Sequence, residues 1–181
     1  LHPRFAQMLV KAGPIAAPLA ALLSDRDILI SREADLTPAL QALSNNGPNH
    51  QIRDPEALKR IKIEAKRLLK FIPKNSFLIK HSPAQCLALA YPERVAQRRP
   101  GIQPHYIMAN GKGVVLANDD GLANAPFLVI SELGNSNHSS GPDPKIRRAL
   151  SISSDEIREI FGSQIKWLET CRWSKRARKV L

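Results

Sequence analysis

With 181 residues and 43% hydrophobic content, the chain can bury one large core or two small ones. A net charge of +11 suits a polyanionic partner, nucleic acid or an acidic membrane, and composition alone leaves a merely soluble basic protein as an equal alternative. Two cysteines, Cys86 and Cys171, lie far apart in unrelated contexts, which excludes a disulfide framework and reads as reduced thiols in a cytosolic protein. No apolar run approaches the roughly 18 residues of a spanning helix, and no signal peptide opens the chain. Leu1 is not preceded by a methionine, which reads as a piece of a longer chain.

Pro3 suits a first helical position, and Phe5, Met8, Leu9 and Ala12 follow at helical spacing until Gly13-Pro14. Ile15 to Leu23 reads as a second short apolar helix, and Asp25-Arg26-Asp27 as a local salt-bridged cap or a docking element. Thr37-Pro38 reads as the cap and first turn of a helix ending near Leu43. A polar loop from Ser44 to His50 separates it from the longest helix, Asp54-Pro55 to about Ile72. There Leu58, Ile61, Ala65, Leu68, Leu69 and Ile72 form the stripe that must face a core. Lys59, Lys62, Lys66 and Lys70 share another side. Glu64 offsets Arg60 and Arg67, and nothing acidic offsets the lysine row, which is either a solvated face or a phosphate-facing edge. Ser82-Pro83 opens a nearly all-apolar helix, the most buried one, which Tyr91-Pro92 ends; Gln85 reaches the bundle rim.

From about Arg94 the hydrophobic period changes from 3.6 to 2. Tyr106 to Ala109 and Gly113 to Ala117 flank Asn110-Gly111, a hairpin signal. Phe127 to Leu133 and Ile146 to Ile152 are further strands across a loop from Gly134 to Lys145. Ser153 or Ser154 caps a short helix through Phe161, and Ile165 to Trp173 is a last strand before a basic stretch, Arg172 to Lys179. The pattern predicts an α+β protein: an N-terminal helical bundle (residues 1–91), then a small OB-like, mostly antiparallel β domain (residues 92–181) cut short at its end.

Gly111-Lys112 superficially matches a phosphate-binding loop, but Tyr106 and Gly113 stand where that loop needs glycine and Ser or Thr. The scattered histidines have no metal-ligand spacing, and no nucleophile, base and orienter set is visible. The chain alone is expected to catalyse nothing. The candidate surface is a nucleic-acid one: Lys59, Lys62, Lys66 and Lys70, the junction arginines Arg94, Arg98 and Arg99, and the hairpin tip Lys112, with Tyr91 and Tyr106 as the nearby stacking candidates. Arg98 could instead bridge the two halves through Glu93.

Ala88 to Arg99 (ALAYPERVAQRR) and Tyr106 to Gly113 (YIMANGKG), with Leu1 to Arg4 (LHPR) and Leu22 to Asp27 (LLSDRD) upstream in the same order, resemble the C-terminal region of bacterial DEAH-box ATP-dependent RNA helicases of the HrpB type. The resemblance fades between Leu36 and Ile52 and after Gly134. It implies an accessory piece that forms one wall of a single-stranded RNA channel. RecA-like motor domains of the same protein would precede it and hold ATP and magnesium, so no cofactor is expected in this chain. A stand-alone nucleic-acid-binding module and a protein-interaction domain are the other readings; motor motifs upstream of Leu1 would separate the first two.

Overall fold

The computed structural model describes residues 1–25, 28, 33–44, 52–72, 80–134, 143–165, 173–174 and 179–180. Helix α1 (Pro3–Ala12) starts on His2, whose Nδ1 accepts the Arg4 amide, and buries Phe5, Met8, Leu9 and Ala12 as their spacing predicts. Gly13-Pro14 breaks it into a 3-10 turn (Gly13–Ala16), which leads into α2 (Ala17–Ser24). Pro3–Ser24 together span 22 residues, apolar and long enough by length and composition to cross a membrane, which corrects the expectation that no stretch approaches that size. Some 56% of its most apolar window is buried inside the structure, where α1 packs on α5 and α2 on α4, so it is core here.

Helix α3 (Thr37–Leu43) is capped from outside: Asp35 Oδ1 accepts the Thr37 amide at 2.8 Å, so Thr37 lies within the helix rather than capping it. Asp54 caps α4 (Pro55–Leu69) by accepting the amides of Glu56 and Ala57. The buried face of α4 is Ala57, Ile61, Ala65 and Leu68, while Leu69 is 43% exposed, off the predicted stripe. Every residue of α5 (Pro83–Ala90) after its proline is buried. Gln85 does not reach the rim. It is 3% exposed, its Oε1 accepts the Ser82 amide, and its Nε2 donates to Glu159 Oε2 at 2.6 Å. One side chain thus closes a capping box and latches α6 (Ser154–Phe161) onto α5.

Strands follow the last bundle helix: β1 (Val95–Arg98), β2 (His105–Met108), β3 (Gly113–Val115), β4 (Phe127–Leu133) and β5 (Ile146–Ser151). They form a five-stranded sheet of order β3-β2-β1-β4-β5 with antiparallel pairs throughout. A parallel bridge, Val115↔Lys145, brings the edge strands β3 and β5 together and curls the sheet into an OB-like half-barrel. The chain is therefore an α+β protein, a helical bundle followed by an OB-like β part. Gly111, at φ 82°, turns the β2–β3 hairpin. Gly113 is needed for a different reason: a Cβ there would stand 2.4 Å from Asp143 Oδ2, just before the closing bridge.

Strand β4 has no solvent face over its first half. Leu128 and Ile130 point into the barrel core, while Val129 joins the helical core with Leu150 and Ile152. A strand covered on both sides reads as an unbroken apolar run, and here that run is Phe127 to Ile130. The edge of β5 is extended by residues preceding α3, through a parallel Asp35↔Ala149 bridge. Near the end of the chain, β6 (Trp173–Ser174) pairs with β7 (Lys179–Val180). Most of the predicted strand from Ile165 to Trp173 and of the basic stretch after it lies outside the described residues.

Candidate nucleic-acid interface

The lysine row lies on the side of α4 away from its buried face: Lys59, Lys66 and Lys70 are exposed and Lys62 is partly so. One acidic partner was missed in the sequence. Glu56 Oε1 meets Lys59 Nζ at 3.0 Å, so the row is offset at its first member. Arg60 turns to Asp25 at the end of α2 (3.7 Å) rather than to Glu64, which pairs with Arg67 at 3.4 Å. Such exposed pairs are worth about 0–1 kcal/mol and leave the face strongly basic. Phe71, directly after Lys70, is 74% exposed.

At the junction, two of the family-like segments meet. Arg4 of α1 donates to Glu93 Oε1 at 2.6 Å and to the Ala90 carbonyl, and its guanidinium lies 5.0 Å from the Tyr91 ring centroid. The Phe5 ring meets Tyr91 edge-on. Arg94 lies over the same ring at 4.7 Å and donates to the Ser131 carbonyl of β4 at 2.7 Å. Tyr91 is therefore covered by two guanidinium groups and a phenyl edge, and Arg94 fastens the junction to the sheet. From the sequence Glu93 reads as a bridge with Arg98 as its partner; the residue that pattern reading missed is Arg4, brought in from the far end of the helical region.

Arg98 faces inward along the barrel, its Nε donating to the Ala123 carbonyl at 3.0 Å and its Nη2 to Gly101 at 3.4 Å. It does not bridge to Glu93. Tyr106 is fully buried, so it offers no face for stacking. Its hydroxyl sits among the carbonyls of Leu122, Ala123 and Ala125, at 3.0, 3.3 and 3.0 Å, and burial pushes its pKa up. Arg99 and Lys112 are exposed, but at different ends of the sheet. The β1–β2 register pairs Arg98 with Tyr106 and Ala96 with Met108. Arg99 therefore lies beside the β1–β2 loop, whereas Lys112 caps the hairpin whose Ala109 and Asn110 amides bond Val95 and Glu93 at the junction. The structure thus brings Lys112 near Arg94, sets Arg98 and Arg99 at the far end, and keeps the lysine row on α4. Lys145 and Arg147, exposed on either side of buried Ile146, are further cations on the barrel. Their alternation with Ile146 was the available signal.

Among the described residues, no three His, Cys, Asp or Glu side chains stand close enough to hold a metal ion. Burial holds the Cys86 thiol at a pKa of about 12, far from the range of a nucleophile at neutral pH.

No family model matches the chain. It is 30% identical over 176 residues to the ATP-dependent RNA helicase HrpB of Escherichia coli (strain K12), a match that covers 94% of this chain and 20% of the helicase. The crystal structure of the E. coli DExH-box NTPase HrpB superposes with a TM-score of 0.68 at 26% identity, over 99% of this chain and 21% of that one. A second crystal structure, of the E. coli DEAH/RHA helicase HrpB, shares the fold with a TM-score of 0.64 at 22% identity. The chain spans about a fifth of the length of this curated relative. Over nearly its whole length it is therefore similar, in sequence and in fold, to one region of the HrpB-type RNA helicases.

Proposed function

We propose that the chain is an accessory, non-catalytic part of a bacterial, cytoplasmic ATP-dependent RNA helicase and that it binds single-stranded RNA without sequence preference. The likeness to one fifth of HrpB across 94% of the chain carries this reading. The net charge of +11 and an OB-like barrel, a fold whose strand 2–3 face and connecting loops often take oligonucleotides, support it. The helical bundle over residues 1–91 and the β part over residues 92–181 are assigned as two halves of one channel wall. RecA-like motor domains of the same protein supply ATP and magnesium chemistry, and the chain itself neither binds nor hydrolyses ATP. Phosphate contacts dominate, drawn from Lys59, Lys62, Lys66, Lys70, Arg99 and Lys112, with Arg94 and Arg98 shaping the surface between them. Titration of single-stranded RNA against salt tests this. With about four phosphates neutralised, the slope of log K against log salt is roughly −3. Salt-insensitive capture of a protein partner with no RNA binding overturns the reading in favour of a protein-interaction domain, and saturable ATP binding overturns its non-catalytic part.

A further inference from the structure

Residues 99–104 (Arg-Pro-Gly-Ile-Gln-Pro) join β1 to β2, and residues 99–103 line a shallow cleft with His105. Ile102 at their apex is 99% exposed, whereas every other exposed large hydrophobic among the described residues keeps at least a quarter of its surface covered. An apolar side chain with essentially no contact to its own fold gives nothing to stability. Yet the backbone that displays it is firmly held. The Arg99 amide donates to the His105 carbonyl and the His105 amide to Gln103, both at 2.8 Å, and the Leu116 amide donates to Pro104 at 3.1 Å. Arg98 Nη2 reaches the Gly101 carbonyl, and His105 Nε2 stands 2.9 Å from Gln103 Oε1. Gly101, at φ 140°, takes a conformation that side-chain-bearing residues rarely adopt, and Pro100 and Pro104 restrict φ at two further positions. A loop built this way presents Ile102 with little ordering left to lose on binding.

We infer that this loop is a base-contacting site for single-stranded RNA: Ile102 packs against the face of an unpaired base while Arg99 holds the adjoining phosphate. The inference rests on the RNA-binding reading above and adds to it a residue and a kind of contact. The chemistry around Ile102 selects nucleic acid over a protein partner. Arg99 is exposed, residues 99–105 contain no acidic side chain, and Gln103 Nε2 and His105 Nδ1, outside the bond between these two side chains, can hydrogen-bond a base. The loop also holds the place between strands 1 and 2 that OB barrels commonly use for oligonucleotides. With Tyr91 covered and Tyr106 interior, an aliphatic contact stands where aromatic stacking is usual.

The test uses the 181-residue chain and a short single-stranded RNA carrying 2-aminopurine, beside the same strand with abasic sites. Ile102→Ser should weaken binding of the base-bearing strand about three- to tenfold and abolish the 2-aminopurine fluorescence change, with the salt slope unaltered. On the abasic strand, parent and variant should bind alike. Arg99→Ala should lower the salt slope by about 0.7. Parent-like binding and fluorescence by Ile102→Ser would overturn the inference while leaving the RNA-binding reading intact. Failure of the parent chain to bind any RNA overturns both. Unchanged thermal melting of both variants checks that they remain folded, as expected for two exposed loop positions.

Discussion

The helical region buries small and branched side chains at helical spacing. Ala16, Ala17, Ala20 and Ala21 are at most 1% exposed and let α2 lie close to its neighbours, with Leu19, Ile61 and Leu87 filling the space between. The barrel buries fewer large residues, and its centre is a tyrosine whose hydroxyl and neighbouring arginine bind the carbonyls of the turn closing one end. Apolar packing makes the first region tolerant of polar change only at its surface. Directed bonds from side chain to backbone make the second sensitive to single atoms. The difference follows from how backbone groups are satisfied: helices pair their own, whereas the turn from Ala117 to Pro126 pairs only some of its own and takes side-chain donors at the Ala123 and Ala125 carbonyls.

Leu87→Asp should break the helical region outright. It is 0% exposed, and an unpaired carboxylate there costs several kcal/mol, comparable to a whole stability of about 5–15 kcal/mol. Circular dichroism should show loss of the cooperative melt; an unaltered melting temperature would refute the packing described for α5. Tyr106→Phe keeps the barrel's shape and removes one hydroxyl. Leu122 and Ala123 keep other donors, so the loss falls on the Ala125 carbonyl and should cost about 1–3 kcal/mol, at roughly 2–4 °C per kcal/mol for a chain of this size. A variant melting like the parent would mean that the hydroxyl is not a pin. Arg98→Ala should cost about 1–2 kcal/mol through the same turn and leave the RNA salt slope unchanged. A lowered slope would instead make Arg98 a phosphate contact.

Cys86 sharpens the comparison through pH. Burial raises its folded pKa to about 12 from an ordinary value of 9.0. The stabilisation is therefore complete below about pH 9 and is lost as the pH rises towards 12, because only the unfolded thiol ionises in between. In a Cys171→Ser background the remaining thiol should resist alkylation at pH 8 until denaturant is added; prompt labelling of the native chain would contradict its burial. The smallest effect on stability is expected from the Lys62→Glu, Lys66→Glu pair, within about 0.5 kcal/mol. The same pair should flatten the RNA salt slope by about 1.4. If RNA affinity and slope do not move, α4 is a solvated face and the barrel alone meets the strand.

Period and capping chemistry made most elements legible. Phe5, Met8, Leu9 and Ala12 spell out α1, and Ser82 and Ser153 announce the starts of α5 and α6. Strand β1 was not legible as a strand. Its residues Val95–Arg98 offer one buried position, Ala96, too little alternation to show, although β1 is the middle of the sheet. Side-chain destinations were the least legible. Arg98 and Arg99 are identical neighbours, yet strand alternation sends one to the turn carbonyls and leaves the other in solvent. Glu56 escaped notice as a partner for Lys59 because it doubles as a favourable first-turn acid on α4. Ile102 carries no periodic signal at all, and only its exposure within a pinned loop sets it apart.

Strand β4, with one face in each core, has a consequence for how the molecule comes apart. Neither region can lose its packing without uncovering apolar residues belonging to the other. Local opening is therefore confined to the exposed ends, and unfolding beyond them engages the helices and the barrel together. In hydrogen exchange, the amides of Val129 and Ile130 should be among the last to take up deuterium, at the rate of global opening. A motion applied at the bundle would reach the barrel as displacement of a shared wall and carry the β1–β2 loop with it, so the linkage between the two regions resembles a rigid lever more than a tether.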